Sequence, residues 1–257
     1  MAEHRRPRVV GGDPESTAAP DGERWRRAFD VGATTLVDVR IKHGDRSAWR
    51  HHGERAAYGV VLAGTLSVQY DRDERLTVGS EEFFRVPVGT AYPTAAEGDV
   101  HALVALVGPG ERVVDASGPA AGGPVPRRAG RADLVGTSPL ANLTRLTPFP
   151  DAPVQQVRGH AEGRVGSEWH HHGDNDVFGR VLAGEGYVER VSDGGVERAL
   201  ARAGEFFPVP AGLVHRDVNP SDEDQEYVLW LTGSDPRTVR VEGPGEGAGG
   251  TAPDGGE

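Results

Sequence analysis

The sequence predicts an all-β protein in which one unit is written twice in tandem. Three observations carry this. Trp49–Leu66, WRHHGERAAYGVVLAGTL, aligns without a gap with Trp169–Gly186, WHHHGDNDVFGRVLAGEG, and EFFRVPVGTAY at Glu82–Tyr92 aligns with EFFPVPAGLVH at Glu205–His215. The apolar runs are short and are broken by Gly, Pro, Asp and Asn, the pattern of antiparallel sandwiches and small barrels. A helical period is confined to Glu23–Asp30, ERWRRAFD.

Taken in order, residues 1–21 are basic at the start but have no apolar run behind the basic residues, so they do not read as a signal peptide and should be disordered. The first domain is expected over 22–115. Within it TTLVDVRI (Thr34–Ile41) alternates at period two as a half-buried strand does, and VHALVALVG (Val100–Gly108) reads as a buried strand. Ala116–Pro139, rich in Gly, Pro, Ala and Arg, has no period and reads as a linker. The second domain is expected over 140–243, with VQQVR (Val154–Arg158) and EYVLWLTG (Glu226–Gly233) matching the strands of the first. The offset between copies grows from 120 to 123, and Ser192-Asp193-Gly194-Gly195 accounts for it as a longer hairpin turn. Residues 244–257 bury too little to order themselves and should form a disordered tail.

The charge narrows the function. Lys and Arg number 28 against 39 Asp and Glu, a net charge of −11, which disfavours nucleic acid and anionic membrane surfaces. No run of eighteen apolar residues is present to span a bilayer. There is no cysteine, so thiolate catalysis, disulfides and Cys-ligated metals are excluded. A cytoplasmic protein is expected, and any metal must use His, carboxylate or water.

His170 and His172 are two apart and share one face of a strand, while His171 and Trp169 point away. His215 follows a Pro210-x-Gly212 turn. Imidazoles brought together from separate strands suit zinc, copper, iron and nickel. The first copy has Arg50, Ala56 and Tyr92 where the second has His170, Asp176 and His215, and keeps only His52 opposite His172. Arginine cannot shed its proton to ligate a metal, so the first domain is expected to be a metal-free structural or pairing domain. Phe83-Phe84 and Phe206-Phe207 recur in both copies and read as packing. Phe178, Tyr187 and Trp230 read as core before pocket. Asp217 and Arg216 either orient His215 or pair on the surface, and surface pairing is the expectation.

These residues resemble the cupin superfamily, and specifically a two-domain bicupin of the quercetin-dioxygenase-like type. Gly204, Pro210, Gly212, His215 and Asn219 meet every spacing of its second motif, G-x5-P-x-G-x2-H-x3-N, and His170, His172 and Gly184 fit the first. The resemblance covers both units. It implies two jelly-roll β-barrel domains in tandem and a metal held by two histidines and a carboxylate of the first motif plus the histidine of the second. The family glutamate falls on Val177, so Asp176, one place earlier, is the candidate for fourth ligand and catalytic base. One divalent ion is implied, with iron, manganese or nickel favoured and zinc possible. The implied activity is a metal-dependent, dioxygenase-like oxidation of a small organic substrate. A non-catalytic small-molecule-binding cupin and a cupin isomerase or epimerase remain as alternatives. Two barrels in one chain resemble a cupin dimer made covalent, and a homo-oligomer stays open.

Overall fold

The structure, a computed structural model, describes residues 15–17, 19–120, 122–137, 140–192, 195–233 and 235–243. Most of the expected disordered N-terminal segment and the whole expected tail lie outside the described residues. Regular structure among the described residues is strand, apart from one 3-10 turn at Arg131–Asp133. None of these residues forms a helix long and apolar enough to cross a membrane. Two compact units emerge, one with described residues from 15–137 and 146–158, the other from 140–145 and 159–243.

The first unit holds β1 (Glu15–Thr17), β2 (Glu23–Val31), β3 (Thr34–Ile41), β4 (Arg50–His51), β5 (Ala56–Gln69), β6 (Arg75–Val78), β7 (Phe83–Val86), β8 (Thr94–Val107) and β9 (Val114–Asp115). The stretch expected to be a linker carries β10 (Arg127–Ala129) and β11 (Val135–Gly136). There follow β12 (Leu143–Thr147), β13 (Gln155–Ala161), β14 (His170–His171), β15 (Asp176–Ala183), β16 (Glu185–Ser192), β17 (Gly195–Arg202), β18 (Phe206–Val209), β19 (Arg216–Val218), β20 (Gln225–Thr232) and β21 (Val239–Arg240).

The repeat in sequence is a repeat in topology. The first sheet runs β1-β2-β3-β8-β5-β7-β10, with β6 also on β5, and the second runs β11-β12-β13-β20-β15-β18. The order β2-β3-β8-β5-β7 therefore matches β12-β13-β20-β15-β18 strand for strand. Paired short strands, β4-β9 and β14-β21, match likewise. A separate β17-β16-β19 sheet supplies another wall of the second unit; its hairpin pairs Ser192 with Gly195 where β5 and β6 pair Gln69 with Arg75, so the three extra residues lengthen the paired strands rather than the turn, contrary to expectation. The described part of the stretch expected to be a linker belongs to the first unit up to residue 137, since β10 extends the first sheet along β7 and β11 pairs with Leu146 and Thr147 of that unit.

The one segment with a helical period is a strand. Glu23–Val31 pairs antiparallel with β3, and the register slips between Arg27 and Phe29. Trp25 lies opposite Val39 and Phe29 opposite Leu36, three apart on β3, so the bulge turns the two aromatics to opposite faces of the sheet, and both are buried. β3 itself is buried on both faces at all but Arg40, more completely than its alternation suggested.

Two glycines explain a shared feature of the copies. A Cβ on Gly59 would lie 2.2 Å from the Phe84 ring, and one on Gly179 would lie 2.1 Å from the Phe207 ring. Each glycine leaves room for the aromatic of the neighbouring strand, to which it is directly opposite. The cores are otherwise aliphatic and aromatic, with Leu36, Val60 and Leu106 in the first and Val228, Trp230 and Leu231 in the second almost wholly removed from water. Each such side chain contributes roughly 1.5–3 kcal/mol on burial, which fixes the sheets that position the histidines.

Candidate metal centre

His170 and His215 are brought together by the backbone. The His170 N–H donates to the His215 carbonyl at 2.8 Å and the His215 N–H returns the bond at 2.9 Å. His172, two residues along the same segment, turns its ring to the same side. The three ring centroids lie 5.0 Å (170–172), 4.2 Å (170–215) and 5.3 Å (172–215) apart. One ligating nitrogen from each lies within 4.8 Å of the others, and all three residues are buried.

The outer nitrogens fix the tautomers. Nδ1 of His170 meets the Glu168 carbonyl at 2.9 Å, Nδ1 of His215 the Leu213 carbonyl at 2.9 Å, and Nδ1 of His172 the Arg237 carbonyl at 3.2 Å. A carbonyl only accepts, so each Nδ1 carries the proton and each Nε2 presents a lone pair. Nε2 of His170 and of His215 is buried without a hydrogen-bond partner. Burial, then the neighbouring His215, lowers the pKa of His170 to about 3 and of His172 to about 2, and burial also lowers that of His215. The rings are thus neutral, the state a metal requires.

His171 lies outside this group. Its Nδ1 accepts the Gly173 N–H at 3.0 Å, closing the turn that follows. Trp169 faces Arg216, whose guanidinium lies 5.3 Å from the ring centroid. Asn219, the last residue of the second motif, clamps a loop through bonds to the Glu162 and Glu223 carbonyls at 3.0 and 2.7 Å.

The two candidate carboxylates are placed differently from expectation. Asp176 is not among the residues whose ligating atoms converge. Its Oδ1 accepts the Ala211 N–H at 3.0 Å, while the Gly212 N–H donates to the Gly173 carbonyl at 2.7 Å, so Asp176 helps to tie the Pro210–Gly212 turn to the histidine segment. Val177 and Val181 line the cavity, and strand alternation sends Asp176 to the other face. Asp217, expected on the surface, lines the cavity instead. Its Oδ2 is 3.8 Å from His170 Nε2 and its Oδ1 is 3.9 Å from His215 Nε2. Arg145, on β12, donates to Oδ2 at 2.8 Å and to the Tyr227 hydroxyl at 3.3 Å. Burial pushes the Asp217 carboxyl up, but His215, His170 and Arg145 outweigh it and hold it below the usual carboxylate range. The spacing that links His170 to His172 also links His215 to Asp217, and that signal was present in the sequence.

Beside the histidines the cavity is mainly apolar, walled by Val188, Val209, Phe207 and Leu229, with Tyr187 also on the wall. Phe178 and Trp230 are buried core residues, as expected.

The corresponding place in the first unit is closed by its own side chains. Arg50 and Tyr92 exchange backbone hydrogen bonds as His170 and His215 do. The Arg50 guanidinium pairs with Glu23 at 2.6 Å, with both side chains almost fully buried, and lies 4.8 Å from the centre of the Tyr92 ring. His52 keeps the orientation of His172, with Nδ1 on the Arg112 carbonyl, but its Nε2 meets the Tyr92 hydroxyl at 2.5 Å.

Comparisons with known proteins agree with this architecture. Residues 160–232 match the family model Cupin_2, described as a cupin domain. Oxalate decarboxylase from Bacillus subtilis superposes with a TM-score of 0.69 at 12% identity, over 94% of this chain and 79% of that one. Lactobacillus farciminis oxalate decarboxylase in its formate complex gives 0.70 at 12% identity, over 94% and 90%. No curated protein matches the sequence. At such identities the likeness is one of fold. The chain therefore folds as two jelly-roll domains in tandem, of which the second contains the segment that matches the cupin family model.

Proposed function

We propose that this protein is a metal-dependent cupin enzyme that oxidises a small organic substrate in the cavity of its second domain. The observation that carries the reading is the pair of buried, unpartnered Nε2 atoms on His170 and His215, with His172 beside them. An unpaired polar atom in a dry interior costs about 1–3 kcal/mol, and a divalent cation removes that cost at both nitrogens. His170, His172 and His215 would hold it. Bound by three imidazoles, such an ion supplies open positions for substrate and dioxygen together. Iron, manganese and nickel fit this role, and zinc fits the ligands equally.

The cavity wall favours a substrate with an apolar body and one oxygen-bearing end that reaches the histidines. Oxalate, named for the solved structures above, is a small dianion. Arg145, the cation at this cavity, is already paired with Asp217, and valines, a leucine and a phenylalanine do not solvate two charges. Decarboxylation of oxalate is therefore the less supported reaction.

Metal analysis by mass spectrometry on protein grown with supplemented iron, manganese, nickel and zinc is the first test. One ion per chain is expected, and none in His170→Ala/His215→Ala. Metal-free wild type would overturn the proposal. Oxygen uptake in a screen that includes oxalate then decides the chemistry. Thermal stabilisation by a compound without turnover would make the domain a binding protein.

A further inference from the structure

Resting on the three-histidine reading above, we infer that the carboxylate ligand has moved in this chain from the first motif to Asp217, two residues beyond the histidine of the second. The geometry around the orphaned nitrogens is the main ground. Both Asp217 oxygens face them, at 3.8 and 3.9 Å, too far for a direct hydrogen bond. With Nδ1 protonated on each ring, those nitrogens carry lone pairs, so acceptors face acceptors across a gap. A proton donor or a cation must lie between them, and the third imidazole, His172, converging on the same point makes a cation the fitting group. Bonds of about 2.0–2.2 Å to nitrogen and oxygen allow two ligand atoms to lie up to roughly 4.3 Å apart, and the observed separations fall within that span.

The supporting contacts point the same way. Ligating carboxylates are themselves hydrogen-bonded from outside. Arg145 does this at Oδ2 while Tyr227 holds Arg145, and all three line the cavity. The first unit offers a comparison. Thr94 stands at the place of Asp217 there, hydrogen-bonded to Glu23, and Arg50 at the place of His170 supplies a built-in positive charge. The half that carries its own cation pairs it with Glu23 of β2 and has no carboxylate at the place of Asp217. The half with three neutral imidazoles has one there. Asp176 is also replaced in the first unit, by Ala56, so the comparison alone does not separate the two acids. Their positions do, because Asp176 is engaged by the Ala211 N–H and Asp217 faces the histidines.

Cobalt(II) is a suitable probe, because its visible absorption reports the ligand set independently of turnover. Titration of metal-free wild type, Asp217→Asn, Asp217→Glu and Asp176→Asn separates the two acids. Asp217→Asn should bind about 10- to 100-fold more weakly and with altered bands. Asp217→Glu should recover part of the affinity. Asp176→Asn should keep wild-type affinity and bands. If Asp217→Asn fails to fold, Asp217→Thr, the residue the first unit carries at this place, is the second variant. Unchanged binding in folded Asp217 variants, or weakened binding only in Asp176→Asn, overturns the inference while leaving the three-histidine site standing. Failure of wild type to bind cobalt at all would instead overturn the site itself.

Discussion

At the scale of single residues, the copies show which histidines the fold needs and which the chemistry needs. His51 and His171 do the same work, each accepting the N–H of the next-but-one glycine at 3.0 Å in a turn where that glycine has φ of 58° or 59°. This is why His171 recurs in a half without the other ligands. His52 has kept its fold contacts and lost its free nitrogen. Burial, chiefly, depresses its pKa from 6.5 to about 4, although the Arg112 carbonyl opposes this. The unfolded chain then binds a proton between pH 6.5 and 4 that the folded one refuses. His52 therefore contributes stability that is present above pH 6.5 and is lost as pH falls towards 4, at up to about 1.4 kcal/mol per pH unit. Denaturation midpoints between pH 7 and 4.5 should fall less steeply in His52→Gln than in wild type, and equal slopes would refute this. The histidines of the site were legible because period-two spacing puts ligands on one face. Asp217 obeys the same rule beside His215. Its partner Arg145 lies 72 residues away in sequence, and spacing alone cannot reveal that pairing, so a surface role for the acid read as well.

At the scale of elements, the sheets were legible wherever both copies spoke, and obscure where only one did. β5 and β15 were visible as VVLAG and VLAG runs because the duplication doubled the signal. Glu23–Val31 has a shorter counterpart in β12, and its large apolar residues Trp25 and Phe29 lie four apart, a spacing that strand and helix share. The break at Gly184 shows a related effect: β5 runs through fourteen residues where the second unit has β15 and then β16. A Cβ at Gly64 or Gly184 would come within 2.4 Å of the carbonyl of Asp99 or Asp224, so this glycine is required in both copies. The glycine–phenylalanine pairs differ in an informative way. Phe84 is buried in a filled core, whereas Phe207 borders the cavity and has space to move into. Gly59→Ala should cost about 1–3 kcal/mol by overpacking. Gly179→Ala should cost less stability and instead push the Phe207 ring into the cavity. Urea unfolding of both variants tests the order, and a larger loss for Gly179→Ala would contradict the packing argument.

At the scale of the whole molecule, one fold has been used for two electrostatic solutions. In the first unit the charge is supplied by the chain, as the Arg50–Glu23 pair. In the second, Arg145 and Asp217 pair beside three neutral imidazoles, two of which present buried nitrogens without a hydrogen-bond partner. The first unit should thus be indifferent to metal while the second depends on it. A ligand that binds only the folded state at a hundred times its dissociation constant stabilises by about 2.7 kcal/mol, equivalent to roughly a hundredfold slower exchange of amides that open only with the unit that holds it. Hydrogen exchange read by mass spectrometry, with metal and after chelation, should therefore show the change in peptides that span His170–His172 and Leu213–Val218. Peptides that span Arg50–His52 and Ala91–Thr94 should exchange alike in both states. The second set is the internal control, since it has the same topology, the same turn histidine and the same paired backbone. Equal responses in both sets would mean that metal acts on the chain generally, and the assignment of the centre to the second domain would fall with it.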